Sequence, residues 1–519
     1  MTGQVSTLVL SLLLLSGCKS GGIGQSGVRL KHEYVPEMPC KTLTAADSHR
    51  EREMQVPEKT ASHQGTSQIE QVSATESEPA VELTSSTSST SADISLQQSI
   101  SLQQSISLAL SQNPELVTLR QTEKVSNAAL GVAQTYPFNP FVQVQATPYQ
   151  NARIGGPGTT YHYVLLMQTI QLAHQQQFRE QSASFTLNST RWNIHQAELL
   201  ALAQTERLYF IALYQRGLME LVEASDRNNQ QLLNILERRL EAGEATAADV
   251  AIVRVDAAST RQQLRLASAN YQTALRDLAR QSGVSPEQIR GVDGDLRKIE
   301  WRLPCGPTGA MNASGSENAS DEFRMAADDA RSNVLSWAAS RPDVMAARSD
   351  IDVARANLCL ASASKTPDLQ IGPYYQTTAD NTHFVGFRGQ IDLPVINNGM
   401  PLERQRTAEH HQRLTAWQQT RRRAELDAEA ALARYEVALS AAAADSVSSS
   451  TDLPAELEGL ETQFQAGEVD VVRVVQARTS LIQNERARLD LLNEVAQSAA
   501  ALTGAAGIPV EQLFCVPST

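Results

Sequence analysis

The stretch His383-Phe384-Val385-Gly386-Phe387-Arg388-Gly389-Gln390-Ile391-Asp392-Leu393 decides the fold. Val385, Phe387, Ile391 and Leu393 fall on one side of an extended chain, with Gly389 interrupting; Phe384, Gly386, Arg388, Gln390 and Asp392 fall on the other. Successive side chains of a strand point to opposite faces, so this alternation predicts a half-apolar β-strand. Weaker versions lie at residues 138–148, 159–171 and 368–378. Strands of about 10–12 residues, polar on one side and apolar on the other, suit a transmembrane barrel with a wet lumen, which Arg388, Gln390 and Asp392 would line. The competing reading is a soluble four-stranded sheet packed on helices. Four strands cannot close around a channel, because single-chain outer-membrane barrels start at about eight. A membrane-spanning sheet of this size therefore needs several chains, and four strands from each of three chains would give twelve.

The segments around these strands recur. Asn113-Pro114-Glu115-Leu116 opens a helical pattern in the first half, and Arg341-Pro342-Asp343-Val344 opens one in the second. Leu240-Glu241-Ala242-Gly243-Glu244 matches Phe464-Gln465-Ala466-Gly467-Glu468. Pro114 to Pro342 is an offset of 342 − 114 = 228, and Gly243 to Gly467 is 467 − 243 = 224. Two landmarks at nearly one spacing predict a duplicated unit of about 225 residues. Each unit reads as a helix (99–135, 332–364), two strands, a long helix (172–242, 402–466), a Gly-marked turn and a return helix (244–283, 468–504). At 1.5 Å per residue the long helices would reach roughly 100 Å. Leu199, Leu202, Leu208, Ile211 and Leu213 give them apolar stripes that a lone chain cannot bury. Helices and strands thus require the same remedy, an oligomer. The expected fold is mainly α with a small β part: an antiparallel, coiled-coil-like α-barrel plus four membrane strands per chain.

Composition narrows the function. The chain has 519 residues with Lys+Arg 44 against Asp+Glu 57, a net charge of −13, which argues against nucleic acid as a partner. Thr7 to Ser16 (TLVLSLLLLS) is the one long apolar run, too short for a membrane helix but the right size for a secretory leader. Leu15-Ser16-Gly17-Cys18 resembles the bacterial lipobox, in which the Cys is lipidated and becomes the mature N-terminus; an ordinary cleaved leader is the alternative. Residues 1–17 are read as that leader. Residues 18–94, rich in Ser, Thr, Glu and Gln, bury too little apolar surface to fold and read as a tether. The first repeat spans 95–284, a linker 285–331, the second repeat 332–505 and a C-terminal tail 506–519. Cys40, Cys305, Cys359 and Cys515 allow three pairings among which the sequence does not choose; their scatter argues against a CxxC-type site and favours isolated buried or tethering thiols. No HExxH, P-loop, paired CxxC or Rossmann fingerprint occurs, so neither an enzyme nor a cofactor is expected.

The order of these pieces resembles the TolC-like outer-membrane factors of the outer membrane efflux protein family, in their lipoprotein branch. The matching segments are Ser107 to Leu116, Ala242 to Val250 with its copy at Gly467, Arg341 to Val344, and Gly386 to Val395. The resemblance covers residues 100 to 514. It implies a homotrimer in the outer membrane lipid, with a twelve-stranded barrel and a periplasmic α-barrel. It also implies a periplasmic adaptor and an inner-membrane transporter as partners, and a passive exit duct of a tripartite efflux pump or type I secretion system.

In such proteins the Gly-centred turns form the periplasmic tip, where the tube narrows and the adaptor docks. Carried over, the resemblance assigns Gly243, Glu244, Thr246, Asp249, Gly467, Glu468, Asp470 and Arg473 to the gate and adaptor contact. Arg473 stands where the family carries an acid. The linker and the tail would form a belt at mid-tube, bringing Cys305 and Cys515 together. The alternative is a periplasmic coiled-coil lipoprotein acting as scaffold or adaptor without a channel.

Overall fold

The computed structural model describes residues 99–150, 159–304, 330–378, 382–448, 459, 462–464, 469–508 and 513–515, all in the compact unit Thr84–Thr519. Cys18, the tether, Cys40, Cys305, Gly467 and Glu468 lie outside them. Helices α1 (Leu102–Gln112) and α2 (Pro114–Gln134) lead to strands β1 (Phe141–Gln150) and β2 (Thr159–Ile170), then to α3 (Gln175–Glu241) and α4 (Ala247–Ser282). A crossing segment carries β3 (Glu300–Trp301). Then α5 (330–339) and α6 (Pro342–Ala363) lead to β4 (Leu369–Thr377), β5 (His383–Ile391), α7 (Met400–Ser448), α8 (Val471–Ala506) and β6 (Phe514–Cys515). The 67 residues of α3 extend about 100 Å.

Two expected helices are each broken in two. The single helix read over 99–135 stops at Asn113, and that over 332–364 stops at Arg341. In both cases the next residue is Pro, which lacks an N–H and disfavours helical backbone in the residue before it. Asn113 restarts α2 by accepting from the N–H groups of Glu115 at 2.9 Å and Leu116 at 3.3 Å. Strand β5 also ends early, at Ile391, so Asp392 follows the strand instead of belonging to it.

The long helices are the spine. On one flank α3 packs against α1, α2 and α4, on the other against α6 and α8; α7 packs against α6 and α8. The main apolar core gathers at mid-length, around Tyr209, Phe210, Leu278, Tyr435 and Leu502, where crossing segments wrap the helices. Ile100 bridges to Val292, and β3 pairs with β6, joining the linker to the tail. The Tyr209 hydroxyl donates to the Asp293 carbonyl, and the Tyr435 hydroxyl donates to the Arg302 carbonyl at 2.7 Å. These tyrosines sit at 435 − 209 = 226, in the related runs Tyr209-Phe210-Ile211-Ala212-Leu213 and Tyr435-Glu436-Val437-Ala438-Leu439. Likewise Asn113 Nδ2 donates to the Gln281 carbonyl at the end of α4, and Arg341 Nη1 to the Ala505 carbonyl at the end of α8.

Cys359 corrects the expectation of isolated thiols: it is buried in α6 and disulfide-bonded. Cys305 and the Cys515 side chain, the pair raised by the resemblance, lie outside the described residues.

Burial makes the waist sensitive to alkali. It pushes the Tyr209 and Tyr435 hydroxyls far above their ordinary value of 10.0. Burial, with the hydrogen bond to Asp490, raises Tyr214 to about 12. Unfolded tyrosine ionises near pH 10, so above that pH the folded state holds the extra protons and stability falls as pH rises. The contribution is complete below about pH 10 and is lost toward the folded values. Thermal melts stepped in pH should be flat from neutrality to about pH 9 and then drop, and Tyr435→Phe should soften the drop.

Candidate functional site

Strands β1, β2, β4 and β5 form one antiparallel sheet in the order β1-β2-β4-β5, so β2 and β4, from different halves, are neighbours, and β1 and β5 are open edges. One row runs straight across it: Val144 opposite Val164, Val164 opposite Tyr375, Tyr375 opposite Val385. All four are exposed, at 66%, 39%, 39% and 81%. Val142, Leu166, Ile371, Phe387 and Ile391 extend the same face and are exposed as well. An uncovered apolar face of this extent marks a membrane or protein contact.

The opposite face is mixed, carrying a row of glutamines beside the buried Leu165 and Met167 and the exposed Phe384. Gln145 lies opposite Tyr163, Tyr163 opposite Gln376, and Gln370 opposite Gln390. Arg388 is on this face and donates from Nη1 to the Tyr163 hydroxyl at 3.2 Å. Arg388 and Gln390 thus share a face with Gln143 and Gln145 of β1, Tyr163 of β2, and Gln370 and Gln376 of β4, whereas Asp392 sits just beyond the sheet, beside Pro394 and Lys365 in a cleft of about 910 Å³. Gly372 permits the close approach of β4 to β2, because a Cβ there would lie 1.7 Å from the Leu166 carbonyl oxygen.

At the far end of α3 the chain reverses through Gly243, whose φ of +78° favours glycine. Thr246 caps α4, and Asp249 completes a capping box: its carboxylate accepts from the Thr246 N–H at 3.1 Å and hydroxyl at 2.6 Å. The side chain read as a gate acid therefore has a local task, satisfying free N–H groups at a helix start. Thr246→Ala should cost about 1 kcal/mol of local stability, seen as faster amide exchange in the first turn of α4. Glu244 is exposed. Asp470 is the N-cap residue of α8, and Arg473 is exposed one turn later. Among the described residues, none of Glu244, Asp249, Asp470 and Arg473 forms an ion pair within the chain.

A separate small core holds this end: Leu232, Leu236, Val250, Val253, Phe464, Val471 and Val474. Arg239 ties the hairpins together, lying 5.1 Å over the Phe464 ring and donating to its carbonyl at 3.2 Å. Between this core and the waist the packing turns polar, with Asn229 donating to Asp256 at 2.7 Å and to Thr260 at 3.0 Å. Neither Arg239 nor Asn229 stood out in the sequence, since single polar residues in a helix carry no period. Among the described residues no helix is long and apolar enough to cross a membrane, and no cluster of His, Cys, Asp and Glu is placed to hold a metal ion.

Residues 105–284 match the family model of the outer membrane efflux protein. A curated relative, the pyoverdine export outer membrane protein OpmQ of Pseudomonas putida, is 24% identical over 239 residues, which is 44% of this chain and 45% of that protein, so the match spans less than half of its length. The outer membrane protein VceC of Vibrio cholerae shares the fold with a TM-score of 0.58 at 15% identity, covering 78% of this chain and 96% of that one. The open state of the outer membrane channel MtrE of Neisseria gonorrhoeae does so with a TM-score of 0.59 at 19% identity, covering 79% and 89%. The first repeat thus resembles the outer membrane efflux protein family, and the fold over most of the chain is that of solved outer-membrane channels.

Proposed function

We propose that three copies of this chain form a passive exit duct through the outer membrane and the periplasm, serving a tripartite efflux pump or a type I secretion system. The observation that carries this reading is the sheet: open at both edges, apolar and exposed on one face, lined with glutamines and Arg388 on the other, and continuous with long helices, of which α3 extends about 100 Å. Twelve such strands close a barrel whose apolar face meets lipid and whose Arg388 and Gln390 face water. The recurrence of element order, of the Tyr209 and Tyr435 contacts and of the Asn113 and Arg341 contacts supports an internal duplication, which lets three chains supply six like units. Cys18 is the lipid attachment point in this reading, and energy comes from an inner-membrane transporter through a periplasmic adaptor at the tip.

The tip is the gate. Its small core, set off from the waist by a polar layer, lets the hairpins move without disturbing the main body. Gly243, Glu244, Thr246 and Asp249 shape one turn; Asp470 and Arg473 open α8 on the other side, and Gly467 and Glu468, outside the described residues, belong to the gate in this reading. Reversing the charge at Arg473 should leave the oligomer intact and make cells several-fold more sensitive to large antibiotics; unchanged sensitivity would remove Arg473 from the gate.

Conductance tests the duct itself. The purified oligomer inserted in a planar bilayer should give stepwise ion currents, and Arg388→Glu should shift the reversal potential in a salt gradient toward cation selectivity. An inserted oligomer that passes no current would favour the scaffold reading.

A further inference from the structure

We propose that the seam between neighbouring copies repeats the seam inside the chain, pairing Arg422 of one copy with Glu115 of the next. This rests on the ring of copies proposed above and adds its contacts.

Inside the chain the two halves meet along α3 and α6. Ser182, Ser189 and Gln196, seven residues apart, face the partner helix: Ser182 bonds Asn357 at 2.8 Å and Ser189 bonds Asp350 at 2.6 Å, while Gln196 accepts from the Asp343 N–H at 3.3 Å. The outer flanks are bare at each level described, with β1, α2 and α4 on one side and β5 and α7 on the other. Unlike surfaces on opposite sides of one chain make head-to-tail contacts that close into a ring.

The landmarks at the waist carry the inner seam onto the outer flanks. The Tyr209 to Tyr435 offset of 226 moves Ser182, Ser189 and Gln196 to Ala408, Thr415 and Arg422 on α7. The Pro114 to Pro342 offset of 228 moves Asn357, Asp350 and Asp343 to Ala129, Thr122 and Glu115 on α2. Spacing alone selects these six positions, and all six are exposed. Matched in order, they set Ala408 against Ala129, Thr415 against Thr122, and Arg422 against Glu115: small with small, hydroxyl with hydroxyl, cation with anion. The complementarity commits the flank to a second copy of this chain. Arg422 is available for it, since its recorded ion pair is a long one, 3.6 Å to Glu425, whose carboxylate also binds Arg421 at 3.1 Å.

The test uses the full-length protein extracted from outer membranes, reading the temperature at which the detergent-resistant oligomer dissociates. Arg422→Glu and Glu115→Arg should each lower it by several degrees, and the double swap should restore most of the loss. A short bismaleimide should link chains in an Ala408→Cys, Ala129→Cys variant, but not in an Ala408→Cys, Thr122→Cys variant, where the partners are about 10 Å out of step. A stable oligomer in which the swap worsens the single defects, or in which the out-of-step pair links instead, overturns the seam and leaves the duct standing. A wild-type protein that forms no oligomer overturns both.

Discussion

Gly372→Val is expected to abolish assembly of the four-stranded sheet. The two halves of the chain meet in the sheet through β2 and β4, and at Gly372 these strands approach so closely that any Cβ would sit 1.7 Å from the Leu166 carbonyl oxygen and 2.9 Å from the Met167 Cα. Those are backbone atoms, so no rotamer change relieves the overlap; the strands must part. Even alanine should cost about 3 kcal/mol or more, and a β-branched side chain adds its own bulk. The row Val144, Val164, Tyr375, Val385 would lose its continuity, and the apolar face with it. Gly389, also in the sheet, is the internal control: a Cβ there meets nothing within 4 Å, so Gly389→Val should be tolerated. Outer-membrane fractionation and the yield of detergent-resistant oligomer check the pair.

The second large effect is expected at Arg341. Its side chain is only 8% exposed and forms a two-pronged ion pair with Asp343, reaches Asp427 at 3.8 Å and donates to the Ala505 carbonyl. The hydrogen bond to Asp343 raises an already high guanidinium pKa, so the charge is permanent. Arg341→Met leaves a carboxylate and a helix-end carbonyl without their donor, a loss of about 3 kcal/mol by comparison with other buried pairs. Arg341→Lys should recover only part, because an ammonium cannot make the planar two-pronged contact. Arg423, also paired with Asp427 but 81% exposed, should give less than about 0.5 kcal/mol when changed to alanine. Urea denaturation followed by circular dichroism separates the three.

How much of this was legible in the sequence follows from the range of each interaction. The two faces of β5 were readable because a period of two survives in any strand, and Val385 and Phe387 point away from Arg388 and Gln390 as expected. The register was not, because β2 and β4 are about 200 residues apart in the chain and their alignment depends on Gly372 meeting Leu166. The breaks at Pro114 and Pro342 are legible from local chemistry, because a proline disfavours helical backbone in the residue before it. The related runs beginning at Tyr209 and Tyr435 also carried a readable signal, since a shared pattern at one offset singles out both waist tyrosines. Asp249 shows the limit on the functional side: an acid three residues after Thr246 reads equally as a gate or as a cap, and the bonds it makes are a cap's. The disulfide at Cys359 had no local signal at all.

The most direct test of the account is the native mass of the protein extracted by mild detergent from carbonate-washed outer membranes. Three chains in one particle, retained by the membrane through the wash, is the predicted result. Single chains released into the wash would contradict it, since one four-stranded sheet with both edges open cannot form a duct.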